Sequence, residues 1–510
     1  MDMRSADDPI DLLLHRLAAV AAACPERIAL IQGEVTVNYG ALWGRIVTTG
    51  EQLKGLIAPS DRVGIVMDNG ADYVVAVYAT WYAGGIAVGL NTALKDPDLL
   101  DLLRRCDARA ALLGATAGRL SQPLAEAGVV VPATSAWQSA GGATGAPSPV
   151  AIRPADGAAI IFTSGTTGEP KGVLLSHGSL AANVAGVQST VPMRPDDVTL
   201  CALPFHYAFG GSVLHTHMTL GATLVLENSL MYPQQILRRM AACRVTAFYG
   251  VPSSYYLLMD QVQLHGASLS ALRYCALAGG PMDPSRIERF CALLPHVGFW
   301  VMYGQSEACS RLTTLNAADR QRKAGSVGLP LPGVSLRIAG RDDRTLPPGE
   351  VGEVCARGPN IMQGYWRAPE ETAAVLRGGW LRTGDLGYLD ADGYLYLQGR
   401  IREIIKVGAH RVAPQEIERV IQGVPGVVEC AVVAQEDALL GEAVRACVVA
   451  PGADARLRRE ILGACRERLA LYKVPKQVVF MASLPRTASG KVRKHLLRAT
   501  RTANSAWSEE

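Results

Sequence analysis

The stretch Ala158 to Ser176, AAIIFTSGTTGEPKGVLLS, sets two short apolar runs on either side of a polar, glycine-rich loop. Ala158 to Phe162 ends at a Thr-Ser-Gly turn signal, as a buried strand does, and Val173 to Leu175 reads as a second strand. Between them Thr163, Ser164, Thr166 and Thr167 supply hydroxyl donors, and Lys171 adds a cation. Gly165 and Gly168 let the backbone approach closely and turn its N–H groups toward an anion. That density of hydroxyls and glycines beside a lysine suits a phosphate better than it suits a plain solvent-facing turn. The loop is not a Walker A motif, although Gly165 and Lys171 have the separation of G-x-x-x-x-G-K-[ST]. The glycine expected before the lysine is Pro170, which has no N–H to offer, and the Mg²⁺-binding hydroxyl expected after it is Gly172. Kinases and GTPases of that class are thereby excluded.

The surrounding chain is that of an ordinary globular protein. Its 510 residues, 49% of them hydrophobic, allow about three or four domain-sized units with several cores. The net charge of +4 arises from 50 basic and 46 acidic residues without a basic run, which argues against a nucleic-acid groove. The 11 cysteines are scattered singly with no C-x-x-C, which fits neither a disulfide framework nor a zinc site and points to a reducing compartment, the cytoplasm. The N-terminal MDMRSADDPIDLLLHRL mixes acids and bases ahead of any apolar run and lacks the layout of a secretory signal. Tyr73 to Leu90, interrupted by Gly84 and Gly85, falls short of a membrane span and predicts a buried helix running into a strand.

From Pro9 to about Leu120, helical patterns alternate with strands at Arg27 to Ile31, Arg62 to Met67, Gly85 to Gly89 and Ala110 to Leu113, the rhythm of an α/β core with parallel strands. Pro132 to Pro154, rich in Ala, Gly, Ser and Pro, reads as a connecting loop. The rhythm resumes with an apolar stretch from Val198 to Leu226, a helix from Pro233 to Cys243 and a strand from Val245 to Phe248. Two strand-turn units follow, ending in Gly279-Gly280-Pro281 and in Tyr303-Gly304-Gln305-Ser306-Glu307. Ligands of open parallel sheets bind at the carboxyl ends of strands, so both turns are predicted to lie near the first loop. Gly333 to Gly399 reads as a small β-rich subdomain, and the remainder as a compact α+β module. The expected organisation is a large α/β domain over residues 1–399 and a small, mobile α+β domain over 400–510.

Five segments, in order, resemble the motifs of the adenylate-forming superfamily, which includes acyl-CoA synthetases, luciferases and the adenylation domains of peptide synthetases. They are the glycine-rich loop, LPFHYAFGG at Leu203 to Gly211, YGQSE at Tyr303 to Glu307, RTGDLG at Arg382 to Gly387 leading into GRIREIIKVGAHRVAPQEIE, and PRTASGKVRK at Pro485 to Lys494. The resemblance covers most of the chain, from roughly Pro25 to Arg493, and the segments identify it jointly. It implies attack of a carboxylate on the α-phosphorus of ATP to give an acyl-adenylate, then attack of a thiol on that anhydride. Both steps gather negative charge, so catalysis should rest on positioning, cations and Mg²⁺.

The resemblance further implies that Lys491 bridges the carboxylate and the α-phosphate, and that Glu307 binds Mg²⁺. Tyr303 packs on adenine beside Gly279, Gly280 and Pro281, with Gly304, Gln305 and Ser306 in the same nucleotide loop. Asp385 takes the ribose hydroxyls, Arg400 and Arg411 contact ribose and phosphate, and Arg402 stands at the interdomain hinge. Gly408 and Ala409 flank the passage for the thiol, where Ala409 replaces the usual glycine, and Arg402 replaces the usual Asp or Lys. His206 is assigned to the substrate pocket, grouped with Lys491 among the catalytic candidates, and His215 and His217 to packing. Amino-acid-activating relatives carry Asp where this chain has His206, no acid occurs from Cys201 to Leu220, and the neighbouring Phe205, Tyr207, Phe209, Phe248 and Tyr249 are aromatic. An unpaired ammonium would be costly there, so a non-amino acid is expected. The expected acceptor is coenzyme A, with carrier-protein phosphopantetheine as the alternative. Luciferase-like oxygen chemistry would need no different motifs, whereas a non-catalytic nucleotide-binding role sits poorly with Lys491 and Glu307.

Overall fold

Strands buried on both faces need uninterrupted apolar runs and helices to cover them, and the chain supplies both in alternation. The computed structural model describes residues 12–132, 148–163, 170–261, 269–408, 410–437, 439–486 and 492–499, the side chains of 260, 261, 411 and 499 excepted. A nine-stranded sheet has the spatial order Leu329–Pro330, Thr313–Leu315, Gly298–Tyr303, Tyr274–Leu277, Ala247–Gly250, Val198–Cys201, Thr223–Leu226, Ile28–Gln32, Val35–Asn38. Its strands from Gly298–Tyr303 through Ile28–Gln32 are parallel to their neighbours.

A second sheet orders Gly364–Tyr365, Lys171–Ser176, Gly157–Thr163, Ile86–Leu90, Arg62–Val66, Ala108–Leu113. Its last four strands are parallel, and Gly157–Thr163 folds back antiparallel onto Lys171–Ser176. These two strands are therefore the arms of a β-hairpin. The helix Ala71–Tyr82 is buried from Tyr73 to Tyr82 and feeds Ile86–Leu90, the predicted helix-into-strand. Among the described residues, no helix is long and apolar enough to cross a membrane.

Two expectations shift. The strand predicted at Val245 to Phe248 is Ala247–Gly250, because Val245 N–H closes the preceding helix onto Met240 O while Arg244 takes a left-handed conformation (φ 50). The apolar stretch from Val198 to Leu226 resolves into strand, helix Ala208–Met218 and strand, a helix too evenly buried to show an amphipathic period.

The described residues form two compact units, one within Met1–Pro281, Ile287–Leu336 and Ala356–Arg382, the other within Met282–Arg286, Arg337–Cys355 and Thr383–Glu510. The second holds a hairpin whose strand Leu395–Arg400 pairs antiparallel with residues 385–389, followed by a sheet ordered His410–Val412, Ile405–Val407, Gly441–Val449, Glu429–Asp437. Gln477–Met481 adds to Gly441–Val449 in parallel. Helices Pro414–Gln422 and Ala455–Arg468 close its core through Ile417, Ile421 and Ile461. This mixed architecture, a large α/β part followed by a small α+β part, is the expected fold class.

Candidate active site

The stem of the glycine-rich hairpin ends with Thr163 opposite Lys171, and the Thr163 hydroxyl donates to Lys171 O at 3.4 Å. Ser164, Gly165, Thr166, Thr167 and Gly168 lie outside the described residues. Lys171 Nζ lies 5.2 Å from the ring centroid of Tyr365, on the short strand that pairs with Lys171–Ser176, and the Tyr365 hydroxyl donates to Glu307 Oε1 at 2.8 Å. Met362 N–H donates to Glu307 O at 2.8 Å. One aromatic side chain thus gathers the expected phosphate cation and the expected metal ligand. Sequence reading missed Tyr365; a Gly-Tyr-Trp triplet carries neither charge nor period to mark it. Among the described residues no three of His, Cys, Asp or Glu come together as a protein-built metal cage. A half-buried carboxylate with one oxygen engaged suits Mg²⁺ that takes its other ligands from phosphate and water.

Gly279, Gly280 and Pro281 follow Tyr274–Leu277, and Tyr303 ends the adjacent parallel strand, Leu277 pairing with Val301. Both turns therefore leave the carboxyl ends of adjacent parallel strands of one sheet. Gln305 O accepts Ala308 N–H at 3.0 Å and Ser310 N–H at 2.9 Å, with Ser306 opening the 3₁₀ turn Ser306–Ala308. This folds the chain back so closely that a Cβ on Gly304 would stand 2.6 Å from Ser310 C and 2.7 Å from Arg311 Cα. Backbone cannot yield there as a side-chain tip can. Gly304→Ala is expected to displace Glu307 and lower adenylation at least tenfold, with a stability loss of about 1–3 kcal/mol from overpacking. Pyrophosphate-exchange rates and urea denaturation measure the two effects, and wild-type values in both would contradict the geometry.

In the second unit Asp385 and Arg400 face each other across a hairpin, and Arg400 Nε meets Asp385 Oδ1 at 2.8 Å. Asp385 is 4% exposed and its N–H donates to Thr383 Oγ1 at 3.1 Å. Arg402 sits exposed on the 3₁₀ turn Ile401–Glu403. Gly408 (φ 57) donates its N–H to Leu440 O at 2.9 Å; Ala409 lies outside the described residues. Arg411 occupies the strand His410–Val412 opposite Lys406, its side chain outside the description. Lys491 also lies outside it, but its flanks are anchored. Arg486 pairs with Val492, Arg493 N–H donates to Pro485 O at 2.7 Å, and Lys494 bridges Glu403 (2.9 Å) and Glu418 (2.8 Å).

A cavity of about 50 Å³ opens inside the first unit. Tyr73, Val77 and Trp81 come from helix Ala71–Tyr82, Asn183 and Val184 from helix His177–Thr190, Ser212 and His215 from helix Ala208–Met218, and Ile160 and Ile161 from the hairpin strand. Phe205, His206 and Cys309 complete this part of the wall, and among the described residues no Asp, Glu, Lys or Arg lines it. His206 and Phe205 both line this cavity. Tyr207, Phe209, Phe248 and Tyr249 are not lining residues: Phe248 packs edge-on to Tyr255, Tyr249 reaches the Tyr274 hydroxyl at 3.5 Å, Phe209 lies under a guanidinium, and the Tyr207 hydroxyl meets Asn91 Nδ2 at 3.4 Å.

His217 packs as expected, Nδ1 meeting Val213 O at 2.7 Å. His215 both packs and lines the cavity, with Nδ1 3.0 Å from the Tyr78 hydroxyl and its ring 5.0 Å from that of Trp81. Burial pushes His206 down to about 4 and His215 to about 3, so both imidazoles are neutral at physiological pH.

The sequence matches the family model of AMP-binding enzymes over residues 17–366 and that of the AMP-binding enzyme C-terminal domain over residues 416–491. It is 34% identical to a feruloyl-CoA synthase of an Amycolatopsis species, over 94% of this chain and 96% of the relative. It is 33% identical to an indoleacetate–CoA ligase of Aromatoleum aromaticum, over 93% and 95%. Among solved structures, the o-succinylbenzoate CoA synthetase of Bacillus subtilis with its acyl-adenylate superposes with a TM-score of 0.85 at 29% identity, over 95% of this chain and 98% of the other. The same enzyme with ATP and magnesium gives 0.83 at 30% identity, over 94% and 98%.

Proposed function

The chain belongs to the AMP-binding enzyme family, and from that premise we propose that it activates a non-amino carboxylic acid with an uncharged, apolar or aromatic body. It is an ATP-dependent, AMP-forming acid–thiol ligase that uses Mg²⁺ and makes an acyl-CoA. A carboxylate oxygen attacks the α-phosphorus and the bond to pyrophosphate breaks; the CoA sulfur then attacks the acyl carbon and AMP leaves.

Residue roles follow the motifs. Lys171 and the glycine-rich loop hold phosphates, and Glu307 would hold Mg²⁺, which would offset phosphate charge. Tyr303 with Gly279 to Pro281 seats adenine, Asp385 orients ribose with Arg400 and Arg411 alongside, and Lys491 bridges carboxylate and α-phosphate. Arg402 serves as the pivot between domains 1–399 and 400–510, and Gly408 and Ala409 border the thiol path. The 11 free thiols suit a reducing cytoplasm.

The observation that carries the substrate reading is the cavity wall. Among the described residues it has aromatic rings and neutral imidazoles but neither a carboxylate to pair an ammonium nor a cation to pair a second carboxylate. The names of the feruloyl- and indoleacetate-activating relatives support an aromatic acid. Pyrophosphate release with CoA present should favour cinnamate-type or phenylacetate-type acids over their α-amino analogues by about 100-fold or more in kcat/KM, the cost of an unpaired desolvated charge. Preference for the amino acid would overturn this reading.

A further inference from the structure

Arg311 has no part in the roles above. It is 1% exposed, its guanidinium lies 4.1 Å from the ring centroid of Phe209, Nε donates to Met302 Sδ at 3.1 Å, and Nη1 donates to Ser310 O at 3.2 Å and to Ser310 Oγ. Among the described residues no carboxylate pairs with it. Burial pulls it down to about 10, which leaves it charged at neutral pH. A buried guanidinium without a counter-charge is expensive to keep. The chain also reaches it through two consecutive non-glycine residues of left-handed backbone, Cys309 (φ 50) and Ser310 (φ 91), a conformation that side chains resist and that clusters at functional sites.

Its position suggests what the charge is for. Arg311 O accepts Asn183 Nδ2 at 3.3 Å, and Asn183 accepts the Ser212 hydroxyl at 3.3 Å; Asn183, Ser212 and Cys309 all line the cavity. Phe209, on which the guanidinium rests, lies 3.9 Å from where a Cβ on Gly279 would stand, and Arg311 closes the turn that carries Tyr303 to Glu307. Arg311 therefore stands behind the wall on the side of the cavity that adjoins the nucleotide turns. An acid reaching for the α-phosphorus must present its carboxylate on that side.

We propose that Arg311 is an electrostatic positioning residue, the buried counter-charge that draws the carboxylate end of the acid, and then its adenylate, toward the nucleotide turns. The proposal rests on reading the cavity as the acyl site. Arg311 acts through the Asn183–Ser212 wall and does not touch the acid, which a low-dielectric interior permits.

The test compares wild type, Arg311→Gln, Arg311→Met and Arg311→Lys for binding of the best acid of the panel, cinnamate in the first instance, and of its uncharged primary amide. The neutral variants are expected to weaken the acid tenfold or more and the amide less than twofold, with KM for ATP within twofold. Arg311→Lys is expected to recover most of the acid binding. Arg311→Met should keep or raise the Tm, because it removes an unpaired buried charge. Equal weakening of acid and amide, a lysine variant no better than glutamine, or an unfolded methionine variant would overturn the proposal and leave Arg311 structural. If the wild type binds no panel acid at this cavity, the acyl-site reading fails first and the proposal with it.

Discussion

Lys491→Ala is expected to lose acyl-adenylate formation by two to three orders of magnitude or more, about 3–5 kcal/mol of transition-state stabilisation, while thioester formation from a supplied acyl-adenylate largely survives. The first step concentrates charge on the attacking carboxylate and the α-phosphate together, and a single ammonium between them offsets both. The second step involves neither pyrophosphate departure nor an attacking carboxylate, so it has less need of that cation. The loop Thr487-Ala488-Ser489-Gly490 is small-residue throughout and lets a long side chain project. Its stem is clamped by the Arg486–Val492 pairing and by Lys494 between Glu403 and Glu418, so the alanine variant should fold. Isotope exchange between ATP and pyrophosphate, set beside CoA consumption from synthetic acyl-adenylate, separates the steps. Equal losses in both would remove Lys491 from the role.

Acid should destabilise the protein through four buried imidazoles. Burial holds His177, His206 and His217 down to about 4 and His215 to about 3, all below the ordinary 6.5. Groups depressed in this way stabilise the native state fully above 6.5. That contribution is lost as pH falls toward 4, because the unfolded chain takes up protons that the folded one refuses. His217 shows why: its Nδ1 faces Val213 O and must be the protonated nitrogen, while its buried Nε2 meets no acceptor for a second proton among the described residues. His215 adds repulsion from His177 to its burial, and His177 adds repulsion from His15 to its own. At pH 5 each histidine should cost about 2 kcal/mol relative to pH 7.5, so the four together remove several kcal/mol from a typical 5–15. Urea denaturation at the two pH values measures the loss, and His217→Gln should lower the proton uptake on unfolding by about one. Unchanged stability across that interval would mean that these imidazoles are not the closed, neutral core described above.

Local chemistry carried much of the fold and part of the site into the sequence. The hairpin around the glycine-rich loop was legible because its apolar runs are short and bounded by turn residues, and the two nucleotide turns were legible because Gly279 and Gly304 mark the ends of buried parallel strands. His206 and Phe205 could be placed because they sit in a motif. The rest depended on pairs far apart in the chain. Tyr365 meets Glu307 across 58 positions, and Asn183 meets Arg311 across 128, with no charge pattern or period to announce either. The cavity wall was misassigned in part for a related reason. Helices Ala71–Tyr82 and Ala208–Met218 are apolar around most of their circumference, so no hydrophobic face tells which side chains turn inward, and Trp81 and His215 could be placed at the cavity only by the packing of one helix on another. Residue order determined which groups were available for phosphate, metal and acid; tertiary packing decided which of them face the cavity, because that choice is made by contacts no local stretch contains.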